Sequence, residues 1–396
     1  MRPRALGGVL LLWLTGSLGG CREPLLAGVD GKASGPGGIV WHVPTAQPPL
    51  LSATIAADDS TAFYYLTGRR FTALRLRDQR TLWTATGDES SDDNNAMRGV
   101  ELCGGSVVFG TAGAAYAFAP TSGQRRWRWR GSQGGLLSYA GPACAGNTLF
   151  FATGKPMRVY AVDAITGIER WNTSFGDSVG GEGFLTTPAV ADGVVVTCSR
   201  EFSLPFRGAI SGFSVATGAV LWRFTWTPPP PLVDVSCSER VRAKGGIVAA
   251  SVDDGRVFGL DLQTGILRWT APPVPLFATP REERSLAIVD STVIAGSLSG
   301  RLTAHDLRTG ALRWSIEDRP SGGSIFNYGL IGDNGEVVGV NLSGWIASYD
   351  VATGRRRWAV AKGIKLEERA FLPEGVVLTR ELAIGRANDG IYGIRR

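Results

Sequence analysis

Cysteines, histidines and clustered carboxylates are the side chains through which this chain of 396 residues could carry out chemistry. It holds five cysteines but only two histidines, His42 and His305, which are too few for a histidine-rich metal site. Both histidines fall in segments with a strand pattern, and neither belongs to a Cys/His arrangement that would activate a nucleophile. We therefore predict no catalytic residue and no metal centre.

Oxygen-bearing side chains crowd residues 88–95. They are Asp88, Glu89, Asp92, Asp93, Asn94 and Asn95. Carboxylate and amide oxygens are the ligands that calcium prefers. The spacing differs from that of an EF-hand loop, because no glycine stands where such a loop turns around the ion. We expect a solvated acidic loop, with calcium binding as the alternative.

The four cysteines that follow Cys21 form two candidate pairs. Cys103 and Cys144 occupy similar places in consecutive repeats, and Cys198 and Cys237 also lie in consecutive repeats. An oxidising compartment permits disulfides. Pairing requires the Cα atoms to lie within about 7 Å. The sequence cannot give that distance, so disulfides and buried thiols both remain open for each pair.

The N-terminal residues have the pattern of a lipoprotein signal peptide over residues 1–20. Arg2 and Arg4 supply the positive charge, and Ala5–Leu14 is an apolar run too short to span a bilayer comfortably. The run Leu18-Gly19-Gly20-Cys21 then resembles a bacterial lipobox, in which the cysteine thiol receives a diacylglycerol. We predict lipidation at Cys21, with ordinary secretion as the alternative.

The segment after Cys21 predicts a flexible tether and a location. Residues 21–36 contain several glycines and prolines, as flexible linkers do. Arg22 stands where an aspartate would retain a lipoprotein in the inner membrane. By analogy with lipoprotein sorting, we expect an outer-membrane anchor facing the periplasm. The net charge of +6 includes no block of like charge, so we predict no nucleic-acid partner.

A repeat organises the rest of the chain. Eight of the twelve tryptophans recur 42 to 51 residues apart. They are Trp41, Trp83, Trp127, Trp171, Trp222, Trp269, Trp314 and Trp358. A fixed period of this length is typical of propellers and other repeat architectures.

A turn motif precedes each repeated tryptophan, and Tyr160–Trp171 is the clearest copy. Four copies keep an aspartate followed by Thr-Gly: Asp163, Asp261, Asp306 and Asp350. The aspartate can accept hydrogen bonds from turn N–H groups, and the glycine can adopt the positive φ that the turn needs. The tryptophan that follows offers a large flat surface for packing between neighbouring sheets.

The repeat predicts an all-β fold, an eight-bladed β-propeller of four-stranded antiparallel blades. Each unit contains four short strands in about 44 residues, the size of one blade. The chain ends on a third strand after Asp389-Gly390, while Gly37–Trp41 resembles a fourth strand without the first three. We therefore predict that the N-terminal strand closes the last blade, and that residues 37–396 form a single domain.

The connections that vary in length suggest where a partner binds. Within a propeller, the turn between the second and third strands and the passage to the next blade share one face. Most of the extra length falls there. The partner-binding candidates are Val179, Glu182, Arg200, Phe202, Leu204, Phe206, Arg207, Trp226 and Leu232. Apolar patches flanked by arginines often mark protein-binding sites. The alternative is that these side chains fold back and cover blade ends.

The Tyr-Ala-x-Asp-x-x-Thr-Gly-x-x-x-Trp pattern is similar to the PQQ-like, or quinoprotein-type, repeat. Two groups of proteins carry it: the quinone-dependent dehydrogenases, and the smaller BamB-like family of propeller lipoproteins that assist outer-membrane β-barrel assembly. The lipobox and the length resemble the second group. The resemblance implies a non-catalytic scaffold without a cofactor, a monomer within a complex, docked to an envelope protein such as the barrel-assembly subunit.

Two alternatives to this function remain open. A propeller platform for a different envelope complex is one, and a PQQ-dependent dehydrogenase is the other. Quinone enzymes usually carry an adjacent cysteine pair, which this sequence lacks. BamB-like proteins grip their partner with a Leu-Arg-Gly-Glu stretch. The nearest stretch here keeps an apolar Val179 and Glu182 but replaces the arginine with Gly180.

Overall fold

The structure is a computed structural model, and every element in its described part is a β-strand. It describes residues 35–45, 55–66, 70–88, 97–111, 113–132, 136–137, 141–174, 183–201, 207–227, 237–252, 254–272, 284–297, 300–318, 329–340, 345–361, 371–387 and 389–396. A search of these residues finds no helix with the length and hydropathy needed to cross a membrane. The predicted all-β class is confirmed.

Eight antiparallel sheets follow one another along the chain and form the blades of a propeller. Blade 1 contains β2 (Ala56–Ala57), β3 (Thr61–Leu66), β4 (Arg70–Arg75) and β5 (Thr81–Thr86), and blade 2 contains β6 (Met97–Cys103), β7 (Ser106–Thr111), β8 (Ala115–Phe118) and β9 (Arg125–Trp129). Blade 3 contains β10 (Leu136–Leu137), β11 (Ala143–Ala145), β12 (Thr148–Lys155), β13 (Met157–Asp163) and β14 (Glu169–Ser174). Blade 4 contains β15 (Gly183–Leu185), β16 (Ala189–Ala191), β17 (Val194–Glu201), β18 (Arg207–Ser214) and β19 (Val220–Thr225). In blades 3 and 4 the first strand is split into two short pieces, which both pair with the second strand.

The second half of the ring repeats this order. Blade 5 contains β20 (Cys237–Lys244), β21 (Ile247–Val252), β22 (Val257–Asp261) and β23 (Leu267–Ala271), and blade 6 contains β24 (Arg284–Val289), β25 (Thr292–Ser297), β26 (Arg301–Asp306) and β27 (Leu312–Glu317). Blade 7 contains β28 (Ile331–Asp333), β29 (Glu336–Val340), β30 (Trp345–Asp350) and β31 (Arg356–Ala361). Blade 8 contains β32 (Phe371–Leu378), β33 (Leu382–Ala387), β34 (Gly390–Arg395) and the N-terminal β1 (Ile39–Pro44). The first strands of successive blades contact one another around the ring, so they surround its axis.

The propeller has two faces, which we name by the chain segments on them. The turn face carries the turns between the first and second strands and between the third and fourth strands. The connection face carries the turns between the second and third strands and the passages between blades. The repeated Asp-x-x-Thr-Gly motif lies on the turn face.

The N-terminal strand closes the ring, as the sequence predicted. β1 pairs antiparallel with β34, from Ile39 opposite Ile394 to Pro44 opposite Gly390. At the same seam the Arg396 guanidinium donates to the Glu336 carboxylate of blade 7 at 2.6 Å. Because Glu336 is buried, this ion pair holds blade 8 against blade 7.

The repeated tryptophans join each blade to the next. Six indole N–H groups donate to a carbonyl in the following blade's turn at 2.7 to 3.0 Å: Trp83 to Pro120, Trp127 to Ala164, Trp171 to Val215, Trp222 to Leu262, Trp269 to Leu307 and Trp314 to Val351. The motif glycine of that turn lies against the ring. A Cβ on Gly310, for example, would stand 2.7 Å from the Trp269 ring. Glycine is therefore needed here for both its positive φ and its small size.

The seam between blades 7 and 8 keeps the ring contact but lacks the hydrogen bond. Gly37 covers Trp358, where a Cβ would stand 2.8 Å from the tryptophan Cβ. Within the described ranges, the buried Trp358 N–H has no hydrogen-bond partner.

The turn of blade 1 departs from the motif. Gln79 occupies the position of the motif glycine with φ 57°, and its side chain donates a hydrogen bond to the Leu76 carbonyl.

The turn aspartates have a partner that the motif alone did not predict. Each binds the arginine seven residues later, at 2.6 to 2.8 Å: Asp163 with Arg170, Asp261 with Arg268, Asp306 with Arg313 and Asp350 with Arg357. The same carboxylates accept hydrogen bonds from the motif threonine. The arginine hydrogen bond is the largest cause that lowers the pKa of Asp261, Asp306 and Asp350 to about 2.

Disulfides add covalent links between blades. Cys103 at the end of β6 and Cys144 in β11 form a disulfide with an S–S distance of 2.08 Å and a Cα–Cα distance of 5.7 Å. The first candidate pair therefore joins the innermost strands of blades 2 and 3. Cys198 is also disulfide-bonded. Of the two cysteines left as its partner, Cys237 begins β20, an element that packs against the β17 of Cys198.

Two glycine substitutions separate the tryptophan contact from backbone strain. Gly310→Ala places a Cβ against the Trp269 ring at φ 71°, whereas Gly193→Ala meets nothing within 4 Å at φ 81°. Positive φ costs either alanine about 1 to 2 kcal/mol. Steric conflict adds about 1 to 3 kcal/mol for Gly310→Ala alone. Denaturant unfolding should show the larger loss for Gly310→Ala, and equal losses would contradict the proposed role of the contact.

The turn ion pairs predict a dependence of stability on acid. Because the folded-state pKa of Asp306 lies below its ordinary value of 3.8, its contribution is complete above that value and is lost as the pH falls through about 2. Asp306→Asn should lower the free energy of unfolding at pH 7 by about 0.5 kcal/mol, since the pair is largely exposed. The difference should vanish near pH 2. Asp290→Asn, at an aspartate with no ion pair in the described residues, is the control. A pH-independent difference for Asp306→Asn would refute the ion-pair account.

Candidate interaction surface

The connection face of blade 4 carries a long hairpin. β17 and β18 each contain eight residues, and their pairing continues to Glu201 opposite Arg207. The candidates Arg200 and Arg207 are strand residues at this end of the hairpin. Residues 202–206, which connect the two strands, lie outside the described ranges. The described backbone therefore extends this hairpin on the connection face as far as Glu201 and Arg207.

The segment after Glu182 lies beside the same hairpin. β15 pairs antiparallel with β17, with Gly183 opposite Glu201 and Phe184 opposite Arg200. The described start of blade 4, residues 183–185, is thus a neighbour of the blade 4 hairpin.

Several predicted site residues lie outside the described ranges. They are Cys21, Val179, Glu182, Phe202, Leu204, Phe206 and Leu232, together with the acidic segment beyond Asp88. Their assignments remain predictions.

Trp226 is half-buried and packs between blades 4 and 5. Its ring centroid lies 6.3 Å from that of Phe224 and 5.7 Å from that of Phe258 in the next blade. The side chain therefore covers the blade ends, which is the alternative considered for the candidate apolar patch. Its indole N–H is buried and has no hydrogen-bond partner in the part of the chain that the structure describes.

An ion pair beside Trp226 was not predicted from the sequence. Arg256 binds the Asp254 carboxylate at 2.6 and 2.9 Å and donates to the Thr227 carbonyl at 3.1 Å. Its guanidinium also lies over the Phe258 ring, 5.1 Å from the centroid, which is cation–π geometry. The Asp254 side chain is 1% exposed, so the pair fixes the chain that leaves blade 4.

Asp88 is the described member of the acidic segment, and it is engaged by arginines. Arg125 and Arg128 lie 2.6 and 3.1 Å from its carboxylate. The Arg125 hydrogen bond is the main cause that lowers the pKa of Asp88. Asp88 therefore acts in an ion-pair cluster with blade 2, and among the described residues no group of three metal-binding side chains converges.

A small cavity lies among the innermost strands of blades 5, 6 and 7. Its volume is about 180 Å³, and its lining includes Arg242, Lys244, Ala287, Ile288 and Leu330. Sites for small molecules usually begin at roughly 300 Å³. The cavity therefore falls short of the size expected for an organic cofactor.

A sequence profile of the family described as outer membrane protein assembly factor BamB matches residues 111–360 and 276–396 of the chain. The two matches overlap and together extend from blade 2 to the last strand. A curated relative, serine/threonine-protein kinase AfsK of Streptomyces griseus, is 28% identical over 169 residues. That alignment covers 42% of this chain and 20% of the kinase, so the chain spans about a fifth of that relative's length.

Solved structures share the propeller fold at low sequence identity. BamB from Moraxella catarrhalis has a TM-score of 0.62 at 15% identity, covering 90% of this chain and 96% of that one. Quinohemoprotein alcohol dehydrogenase from Comamonas testosteroni has a TM-score of 0.64 at 13% identity, covering 90% and 76%. At these identities the likeness establishes the fold alone, since one fold hosts many functions.

The unpartnered indole of Trp226 yields a test against a tryptophan that has its hydrogen bond. Phenylalanine at either site removes the indole N–H, but only Trp269→Phe loses a donor that is paired, to Leu307, and Trp269 is also the more buried of the two. We expect Trp269→Phe to lower the free energy of unfolding by about 1 kcal/mol more than Trp226→Phe does. Denaturant titration measures the difference, and equal losses would contradict the assignment.

Proposed function

The chain belongs to the family described as outer membrane protein assembly factor BamB, and on that premise we propose that it is a non-catalytic scaffold for the assembly of outer-membrane proteins. The observation that carries the proposal is the family match over residues 111–396. The chain would sit in the outer membrane facing the periplasm, anchored through Cys21, and act as a monomer within a complex. Its partner would be the barrel-assembly subunit of the envelope.

The connection face of blades 3 and 4 is the proposed docking site. It combines the blade 4 hairpin with the chain segment after Glu182, which the β15–β17 pairing places side by side. Val179, Phe202, Leu204, Phe206 and Leu232 would supply apolar contacts. Arg200 and Arg207, on the paired strands, would supply the positive charge that is missing from the Leu-Arg-Gly-Glu-like stretch, where Gly180 replaces the arginine. Apolar anchors surrounded by charge are typical of protein interfaces.

The buried indole N–H of Trp226 supports a docking surface next to this hairpin. A buried donor without an acceptor costs free energy that a binding partner can recover. An incoming chain whose carbonyl displaced the atoms covering this N–H, at the edge between blades 4 and 5, would supply that acceptor. Trp226 would thus contribute at the border of the interface, while Arg256 holds the neighbouring backbone through the Thr227 carbonyl.

Two observations argue against quinone-dependent dehydrogenation, although such enzymes share the fold. The sequence has no adjacent cysteine pair of the kind those enzymes carry. The described cavity among blades 5, 6 and 7, at about 180 Å³, is also below the roughly 300 Å³ of usual small-molecule sites. Titration with the quinone and calcium is the cheap check, and a saturable spectral change would favour the enzyme.

Capture of the partner from outer membranes tests the proposed function. The tagged protein should recover the barrel-assembly subunit from gently solubilised membranes, as identified by mass spectrometry. The triple variant Phe202→Ser, Leu204→Ser and Phe206→Ser should lose at least about tenfold of that recovery, as loss of interface anchors does.

A matched control replaces exposed aliphatic residues that lie outside the proposed docking site. Val40→Ser and Leu82→Ser, in blades 8 and 1, should leave capture unchanged. Both variants should keep the unfolding midpoint of the parent protein. Full capture by the connection-face variant would refute the site. Recovery of a different envelope protein in place of the barrel-assembly subunit would refute the assembly role.

A further inference from the structure

An arc of exposed aliphatic side chains runs along the turn face, away from the proposed docking site. Seven of them, 42 to 66% exposed, lie at the outer turns of four consecutive blades, 3 to 6. They are Ile165, Ile168, Val220, Leu221, Ile266, Leu267 and Leu312. We call this set the aliphatic arc. Single exposed aliphatics are normal, but a row on neighbouring blades indicates a contact surface.

Blades 2 and 7, which border these four blades, carry polar residues at the same turn. The repeat positions just after the motif glycine hold Gln124 and Arg125 in blade 2 and Arg355 and Arg356 in blade 7. The same turn therefore tolerates polar residues, and its geometry does not require apolar ones. The arc ends in arginines on both sides.

The turn aspartates inside the arc are neutralised. Asp163, Asp261 and Asp306 each bind an arginine of the following strand. In blade 4, Ser214 replaces the aspartate. A surface that approached the arc would therefore meet aliphatic side chains and paired charges, together with Glu169, whose carboxylate accepts hydrogen bonds from the neutral Ser132 and Asn172.

The N-terminal chain leaves the propeller on the same face. Gly37 occupies the place of a motif glycine against Trp358, and its N–H donates to the Arg395 carbonyl at the end of β34. The residues from Cys21 to Gly35 can span at most about 50 Å when fully extended. A lipid at Cys21 would therefore hold the turn face within reach of the bilayer.

We propose that the aliphatic arc rests on the lipid bilayer, with the turn face towards the membrane and the connection face towards the periplasm. The orientation rests on the lipid anchor of the proposed function. The contact chemistry favours lipid over protein, because the seven side chains are all aliphatic and are spread over the turns of four blades. Protein hot spots are instead enriched in tryptophan, tyrosine and arginine and lie in pockets. The flanking arginines suit anionic headgroups.

The tether makes a weak contact sufficient. A few aliphatic side chains bind a membrane poorly from solution, but an anchor converts their insertion into an intramolecular step at high effective concentration. The arc would then fix the tilt of the propeller instead of recruiting it to the membrane. The partner site on the opposite face would point into the periplasm.

Two labels on one strand test the orientation. Val220 begins β19 on the turn face, and the exposed Thr227 lies just beyond its other end. Two variants of the lipid-anchored protein, Val220→Cys and Thr227→Cys, each carry a fluorophore on the new thiol. Each is reconstituted separately in phosphatidylethanolamine–phosphatidylglycerol vesicles. Lipids brominated in their acyl chains should quench the label at position 220 at least about threefold more than that at position 227.

Serine variants identify the side chains responsible. Adding Ile168→Ser, Ile266→Ser and Leu312→Ser should abolish the difference in quenching. Adding Val40→Ser and Leu82→Ser, at exposed aliphatics outside the arc, should preserve it. Equal quenching of both labels, or stronger quenching at position 227, would overturn the proposal. The proposal would also be overturned if the label at position 220 were shielded from solvent only when a partner protein is present, and if that shielding persisted in detergent. The arc would then bind protein.

The outcome is separable from that of the proposed function. Loss of quenching with intact partner capture overturns the membrane contact alone. Intact quenching without capture of the barrel-assembly subunit overturns the assembly role alone. If the purified protein carries no lipid, the anchor and the orientation that rests on it are both refuted, whereas partner capture still tests the docking site.

Discussion

The contact between a tryptophan ring and the glycine of the next blade is the constraint on which the rest of the molecule depends. Four-stranded sheets cannot bury both faces alone, so each blade needs a neighbour at a fixed distance. The ring sets that distance, because the facing glycine leaves no room for a Cβ, as at Gly310 against Trp269. The indole hydrogen bond then fixes the angle. The Asp–Arg pairs hold the turn that presents the glycine, and the repetition puts these turns on one face and the passages between blades on the other.

Ring closure adapts the same contact to the chain ends. β1 supplies the fourth strand of blade 8, and Gly37 takes the glycine place against Trp358. Within the described residues the Trp358 N–H lacks an acceptor, and the Arg396–Glu336 ion pair provides an additional link across the same seam. The strand that closes the ring is also the one that leads back to Cys21. Any pull on a lipid tether would therefore act on β1, which makes the seam important for mechanical stability.

Local signals predicted the fold well, whereas contacts between distant segments could not be predicted. The tryptophan period and the Thr-Gly turns gave the eight blades, because each blade is a local unit with its own turn chemistry. The Arg313 partner of Asp306 was visible only as the residue before Trp314, since its role depends on how the third and fourth strands pair. Trp226 was expected in an apolar patch, but Phe258 of the next blade partly buries it. The Cys103–Cys144 link required an interblade distance that no sequence pattern encodes.

The central claim is that the propeller presents its connection face to an assembly partner. Site-specific photo-crosslinking in the intact envelope tests it most directly, with a photoreactive residue placed at position 206 or, on the opposite face, at position 266. The account predicts a crosslink to the barrel-assembly subunit from position 206 and none from position 266. Crosslinking to that subunit from position 266 alone, or no protein crosslink from position 206, would contradict it.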